Sequence, residues 1–311
     1  MYQGAAAVAD TREDFVARFP AMACRAEIRI AAMSDERARR AADMAICEVR
    51  RIESKYSRYR SDSVVSMINA TAGSGEPTAV DDETAGLLDF AASMHALSGG
   101  RFDITSGVLR RAWNFREQRL PSQQDIAALR PLIGWSQVDW PRDGAHRHIT
   151  LPKAGMELDF GGFGKEYAAD RAAAALSAGG VESGYVNLGG DIRIIGPRPD
   201  GRAWSLGIQH PRHDATIAGL ALPRGALATS GDYERFIEVD GVRYCHILDP
   251  RTGWPVRYWQ SMSVVAPICL AAGAMSTIAM LFGETAPEFL RQQGVSFLGV
   301  DARGQILRGG M

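Results

Sequence analysis

The 311-residue chain carries 35 Lys and Arg against 36 Asp and Glu, a formal net charge of -1, and 46% of its residues are hydrophobic. That balance fits an ordinary globular protein with a substantial core, one large domain or two small ones, and it excludes a basic nucleic-acid surface as the governing feature. The four cysteines (Cys24, Cys47, Cys245, Cys269) lie far apart with no CxxC pair, which favours reduced thiols over a disulfide frame or a zinc site.

The opening MYQGAAAVADTREDF has no basic segment followed by an apolar run, so no export signal is visible and a cytoplasmic location is expected. Residues 1–17 read as a loose lead-in and 18–311 as one continuous unit. Cys24–Ile30 alternates as a strand. Ser34 precedes a helix with Asp35 and Glu36 in its first turn and Ala41, Met44, Ala45, Val49 and Ile52 at helical spacing. A hydroxyl-rich loop follows around Ser57–Ser63. Asp82 and Glu83 open a second helix bearing Leu87, Leu88, Phe90, Ala91 and Met94, and Gly99-Gly100 stops it.

Phe102–Gly107 is a polar turn feeding a short helix through Trp113. Ser122 and Asp125 resemble a capping pair for a helix ending near Leu129. Strands are expected at Gln137–Trp140, His148–Leu151 and Met156–Phe160, then a glycine-rich turn, Gly161–Gly164, into an Ala-rich helix, Lys165–Leu176. Further strands fall at Gly184–Leu188, Asp191–Ile195, Trp204–Ile208, Ile217–Leu222, Phe236–Val239, Tyr244–Leu248 and Ser263–Ala266. Thr229–Asp232 between them reads as a turn. Helices near Ala271–Leu281 and Pro287–Gln293 precede a closing hairpin, Phe297–Val300 with Gln305–Leu307. Val264–Leu281, the longest small-apolar stretch, is interrupted by Pro267, Gly273, Ser276 and Thr277, which argues against a membrane span. Helices early and antiparallel-looking strands late define an α+β class.

Small and polar residues concentrate between Asn187 and Val256. NLGGD (Asn187–Asp191), Thr229-Ser230-Gly231-Asp232 and His246-Ile247-Leu248-Asp249-Pro250 sit among apolar strands, as a site for a large polar ligand requires. Gly161–Gly164 lacks the GxGxxG spacing of a dinucleotide fingerprint, so it serves either a tight turn or a phosphate at a helix start. Asp159 and Lys165 bracket that helix start and could hold polar ligand atoms and a phosphate. Asp103 and Thr105 fit either a ligand contact or a plain Asx turn. Tyr59 fits either an aromatic ligand or core cover. Of six histidines, His95, His146, His148, His210 and His213 fall on surfaces or turns, and none forms a convincing zinc cluster. His246 differs, because the rigid Asp249–Gly253 turn follows it, and it fits either a functional histidine or a satisfied structural one. Cys245 beside it is a poor nucleophile partner, since neighbours on a strand face opposite ways.

Six blocks occur in an order that resembles the FAD:protein FMN transferase (ApbE) family: SRYRSDSVVSMIN, GGRFDITSGVL, LDFGGFGKEYAADR, GYVNLGGDIRIIG, ATSGDYERF and CHILDPRTGWPV. The resemblance spans roughly residues 20–283. It implies binding of FAD with Mg²⁺, cleavage of the pyrophosphate, and attachment of FMN through a phosphoester to a Thr or Ser of an acceptor flavoprotein, with release of AMP. Neither a nucleic-acid partner nor a membrane span is implied. His246 matches the family histidine, a candidate general base. Met22, Tyr59, Asp103, Asp159, Lys165 and Ile247 match flavin- and FAD-contacting positions. Thr105, Ser230, Gly190 and Asp191 are expected to shape the same cleft.

The implied metal site comprises a backbone carbonyl near Gly162, Thr277, and an Asp four residues before Thr277. Gly273 stands at that Asp position, so Asp249 or Asp232 becomes a candidate substitute. Two other outcomes follow from the same departure: the FAD phosphates carry most of the coordination, or the protein binds FAD without transferring it. A separate alternative is a pyrophosphatase that gives FMN and AMP.

Overall fold

The computed structural model describes residues 14–117, 119–141 and 147–310; His146 lies outside them. In chain order come β1 (Phe15–Ala21), β2 (Cys24–Ile30), α1 (Asp35–Tyr56), α2 (Val64–Ala70), β3 (Thr78–Ala79) and α3 (Asp82–Leu97). A 3₁₀ segment (Ile104–Arg111) leads to α4 (Gln123–Leu129), β4 (His148–Ile149) and α5 (Gly164–Ala178). Seven strands follow: β5 (Gly184–Leu188), β6 (Asp191–Gly196), β7 (Trp204–Gln209), β8 (Thr216–Leu222), β9 (Gly225–Gly231), β10 (Phe236–Val239) and β11 (Val242–Cys245). The chain closes with β12 (Trp259–Ala266), α6 (Cys269–Phe282), α7 (Ala286–Gln292), β13 (Ser296–Asp301) and β14 (Ile306–Gly309).

Eight strands form one sheet in the order β1-β2-β5-β6-β9-β12-β13-β14, and every adjacent pair is antiparallel. The α+β expectation therefore holds. Alternation assigns the two faces. Ala226 and Ala228 of β9 join the main core, where α1, α5 and α6 pack, whereas Leu227 joins a second cluster with Ile192, Ile194, Leu298 and Val300. The β7–β8 hairpin covers that second face with Trp204, Leu206 and Ile208.

Helix α1 buries Ala38, Ala41, Ala42, Ala45, Val49, Ile52 and Tyr56, a stripe at three- and four-residue spacing. It lies along α5, whose Ala168, Ala169, Ala172 and Ala173 keep the interface shallow. Met44, expected on the buried stripe of α1, is instead half exposed. Ser34 precedes α1 without a side-chain cap bond, while Ser122 and Asp125 form a full capping box on α4. At α6 the cap comes from another element: Asp170 of α5 accepts from the Cys269 and Leu270 amides at 2.9 and 2.8 Å, placing a carboxylate against the helix's positive end. The apolar run Cys269–Gln292, long enough to cross a membrane, is mostly buried inside the fold.

Several expectations change. Phe15–Ala17 belong to β1 and so to the sheet. Met156–Phe160 is extended but pairs with no strand. Its alternating apolar residues Met156, Leu158 and Phe160 imitate one, while Asn69 takes the ladder's role: the Leu158 amide donates to Asn69 Oδ1 at 2.7 Å and Asn69 Nδ2 donates to the Leu158 carbonyl at 3.0 Å. Around Gln137–Trp140 only a single bridge, Asp139 to Thr150, forms. The strand expected at Tyr244–Leu248 runs instead over Val242–Cys245. Thr229–Gly231 is the end of β9, not a turn.

Candidate active site

Two tight hairpins and one helix start converge on the helix-covered face. Gly189 (φ +63°) and Gly190 (φ +99°) make the two-residue turn between β5 and β6, a turn that demands two positive φ angles. It leaves Asp191 as the first residue of β6. Asp191 is buried, pairs with Lys165 Nζ of α5 at 2.7 Å, and accepts from the Thr229 amide at 3.1 Å. Burial alone would favour a neutral Lys165, but Asp191 and Glu166 outweigh it and push its pKa up, so the ammonium stays charged.

Glu166, the next residue of α5, is only 8% exposed. Burial first, and Asp191 second, push its pKa up. Its Oε2 is fully buried without a hydrogen-bond partner. Beside these carboxylates the sheet and α6 present hydroxyls. Ser230 Oγ lies 2.7 Å from Ser276 Oγ and 3.0 Å from Thr277 Oγ1. Ser230 faces α6 because β9 alternates there after Ala226 and Ala228.

The β1–β2 turn uses Met22 (φ 51°) and Ala23 (φ 59°), two residues without glycine's freedom in left-handed conformations. The Met22 amide donates to Glu53 Oε1 at 2.7 Å. Adjacent Cys24 feels Lys165 and Asp191 electrostatically, so the turn borders the Lys165–Asp191 pair. On another wall Asp159 is ion-paired with Arg58 and accepts from the Gly161 amide at 2.9 Å. Gly162 is packed against Phe102, whose ring a Cβ there would approach to 3.2 Å. Arg58 also donates to the Tyr59 hydroxyl at 2.9 Å and lies 5.0 Å from its ring centre, yet Tyr59 is 75% exposed. Tyr59 is therefore a surface residue and not core cover.

His246 directly follows β11, with its backbone amide and ring Nδ1 both directed at the Arg235 carbonyl, 3.0 and 3.2 Å away. A carbonyl only accepts, so Nδ1 carries the proton and Nε2 is the basic nitrogen. Dense cleft walls around the ring, together with the Arg235, Lys165 and Arg58 cations, push its pKa down to about 4. The ring surface itself is exposed to water, which moderates the desolvation, and at neutral pH the imidazole is neutral either way. Cys245 points the opposite way, fully buried, with its thiol pushed up to about 11 by burial; it is no thiolate nucleophile. All four cysteines are free.

Not every expected residue reaches this cluster. Both Asp103 oxygens are engaged locally: Oδ1 accepts from the Thr105 amide and hydroxyl at 2.8 and 2.6 Å, and Oδ2 from the Trp135 amide at 2.9 Å. Thr105 in turn accepts from the Gly134 amide at 2.8 Å. The pair thus forms the Asx-turn alternative; Asp103 lines a cavity of about 570 Å³ together with His95, Ile133, Pro250 and Arg251, while Thr105 is fully buried. The Ile247 side chain packs into the main core, and its carbonyl accepts from the Val256 amide at 3.0 Å.

The proposed substitute carboxylates are occupied too. Arg251 holds Asp249 at 2.7 Å, and Arg212 holds Asp232 through two 2.6 Å contacts. Among the described residues no group of three or more His, Cys, Asp or Glu could hold a metal ion. Arg58 and Glu166 went unread in the sequence. A signal for Glu166 exists: it shares the buried stripe of α5 with Ala169, Ala173 and Leu176, and a lone acid on an apolar stripe calls for a partner.

A lysine–carboxylate pair, a hydroxyl cluster and a neutral histidine around one cleft define a polar-ligand site on an antiparallel α+β scaffold. That scaffold matches the ApbE protein of Thermotoga maritima with a TM-score of 0.89 at 34% identity, covering 96% of this chain and 97% of the other. It also matches the Pseudomonas stutzeri flavinyl transferase ApbE with a TM-score of 0.81 at 30% identity, covering 97% and 96%. The FAD:protein FMN transferase of Vibrio cholerae is 33% identical over 240 residues, 75% of this chain and 70% of that protein. The chain belongs to the ApbE family, whose model matches residues 22–298.

Proposed function

We propose that the protein is an FAD:protein FMN transferase, moving FMN from FAD to a Thr or Ser hydroxyl of a separate acceptor flavoprotein. The observation that carries this reading is His246: a neutral imidazole with its Nδ1 proton tied to Arg235 and its Nε2 available, in a cleft whose cations Lys165 and Arg58 act on the ring. The acceptor hydroxyl oxygen forms a bond to the phosphorus on the riboflavin side of the pyrophosphate. The bond from that phosphorus to the bridging oxygen breaks, and AMP departs with that oxygen. His246 Nε2 takes the hydroxyl proton as the new bond forms. Lys165 and Arg58 hold the negative pyrophosphate, and Met22 and Tyr59 flank the flavin.

The oxygen-rich surroundings of Thr277, including an orphaned buried carboxylate oxygen on Glu166, fit Mg²⁺, which prefers hard oxygen ligands. Thr277, the Gly162 carbonyl and a carboxylate would hold it. The bound cation supplies neutralisation of charge on the pyrophosphate and the departing AMP. The reading is tested by incubating the protein with FAD, Mg²⁺ and an acceptor domain, followed by a denaturing gel. A fluorescent acceptor band, absent with His246→Ala, is expected. FAD bound without any band defeats the reading, and AMP release without an acceptor would reassign the protein as a pyrophosphatase.

A further inference from the structure

The environment of Gly273 is the starting observation. A Cβ built there would lie 2.4 Å from Glu166 Cγ, 2.7 Å from Cδ and 2.8 Å from Oε1. The volume that a side chain at position 273 would occupy is therefore already filled, by a carboxyl group reaching across from α5. Gly273 and Thr277 are four residues apart on α6, so they share a face, one turn apart. Glu166 thus delivers its carboxyl to the position from which an acid at 273 would act with Thr277.

Three further observations make this more than space filling. Glu166 is more than nine-tenths buried, and no group among the described residues donates to its Oε2; the neighbouring Asp191 carboxylate can only accept. A buried carboxylate oxygen without a donor is costly, so it requires a proton or a cation. The nearest ammonium, Lys165, makes its short contact, 2.7 Å, with Asp191 and leaves Glu166 Oε2 without a donor. Finally, the Ser276 hydroxyl, donating to the Gly273 carbonyl at 2.9 Å, and the Ser230–Thr277 contact at 3.0 Å put further oxygens on the same side of α6. Carboxylate, hydroxyl and carbonyl oxygens are a hard-cation set, without the sulfur or imidazole that softer metals prefer.

We propose that Glu166 supplies the carboxylate ligand of the divalent-cation site, acting with Thr277 in the place that Gly273 vacates on α6. A side chain at position 166 of α5 requires its absence at position 273 of α6, because the two would fill the same space. The inference rests on the functional reading above only in that the site works with a divalent cation. It names a ligand which that reading leaves open.

The test is Mn²⁺ titration of the purified full-length protein, with and without FAD, followed by electron paramagnetic resonance of free Mn²⁺ and by thermal melting. Glu166→Gln keeps the shape and removes the charge. It should weaken Mn²⁺ binding by about tenfold or more while the metal-free melting temperature holds or rises. Gly273→Asp alone should lower that temperature, because its side chain collides with Glu166. The double variant Glu166→Gly with Gly273→Asp returns the carboxylate to α6 and should bind Mn²⁺ within about threefold of the parent, since the ligand set is restored. Unchanged Mn²⁺ affinity in Glu166→Gln overturns the assignment while leaving the divalent-cation reading intact. Absence of Mn²⁺ binding by the parent protein, with FAD present, overturns both.

Discussion

At the scale of single residues, the cleft works through the charge states of a few side chains. His246 has its pKa pushed down to about 4 by its surroundings and by three cations. Its exposure to water moderates that shift, so in the free protein it stays neutral below the ordinary histidine range near 6.5. A bound pyrophosphate adds negative charge beside the same ring, favours the imidazolium, and raises that value. Two pH profiles should consequently separate. The acid limb of kcat/KM, which reports free protein, is expected below the ordinary histidine range, and the acid limb of kcat at a higher pH. Steady-state rates between pH 4.5 and 8 check this, and coincident limbs would mean that His246 does not sense the phosphate. His246→Ala should lower kcat by about a hundredfold or more with little change in FAD affinity.

The β1–β2 turn makes a second residue-scale case. Met22 and Ala23 both hold positive φ angles in a turn where glycine or asparagine is the easy choice. Ala23→Gly should therefore raise stability by about 0.5–1 kcal/mol, seen as a higher urea midpoint at unchanged slope. A lower midpoint would show that the turn carries no strain. The Met22 amide bond to Glu53 anchors the turn's backbone, and Cys24 directly after it lies within electrostatic reach of Lys165.

At the scale of elements, charged side chains join helices that the apolar core only brings near one another. Glu83 at the start of α3 accepts from Arg51 and Lys55 of α1, and from the Tyr167 hydroxyl of α5 at 2.8 Å. The Arg51 hydrogen bonds foremost, with Lys55 and Tyr167, hold its pKa far below the ordinary carboxylate value. A depressed carboxylate stabilises the fold fully above its unfolded pKa, and the contribution is lost as pH falls toward the folded value. Glu83→Gln should thus cost about 1–3 kcal/mol at pH 7. The gap to the parent should be constant down to about pH 5 and shrink below about 4.3, read from denaturant midpoints across pH. A gap independent of pH would assign the loss to packing.

Elements also show what the amino-acid order discloses. Strand β2, the capping box on α4 and the glycine hairpin before Asp191 are local: their residues pair with near neighbours, and periodicity or turn chemistry reveals them. Strand β9 was concealed because α6 lies close above it, leaving room for Ala226, Ala228 and Ser230 only. Small residues that a close helix demands look like turn composition. The segment Met156–Phe160 misled in the opposite direction, since Asn69, 89 residues away, satisfies a backbone that alternates like a strand. In the site, His246 and Lys165 were legible from motif blocks. Glu166 and Arg58 were not, because each acts through a partner distant in sequence: Gly273 in one case, Asp159 in the other.

At the scale of the whole molecule, the sheet separates two jobs. One face carries α1, α5 and α6 and every charged group assigned to the cleft. The other is closed by the β7–β8 hairpin, where Trp204 is buried, donates to the Gly196 carbonyl at 2.9 Å, and meets Tyr185 edge-on at 5.1 Å between ring centres. Strand alternation isolates these faces, since Ile192 and Ile194 point to the hairpin while Asp191 points to Lys165. Loss of packing under the hairpin should therefore reduce stability without altering the geometry of the cleft. Trp204→Ala is expected to cost about 3–5 kcal/mol and to lower the melting temperature by several degrees. At a temperature where the variant is still folded, its FAD affinity and transfer rate should match the parent's. Chemical denaturation and transfer assays on the same preparation decide it: a rate loss in fully folded Trp204→Ala protein would show that the sheet transmits strain from its hairpin face to its helix face.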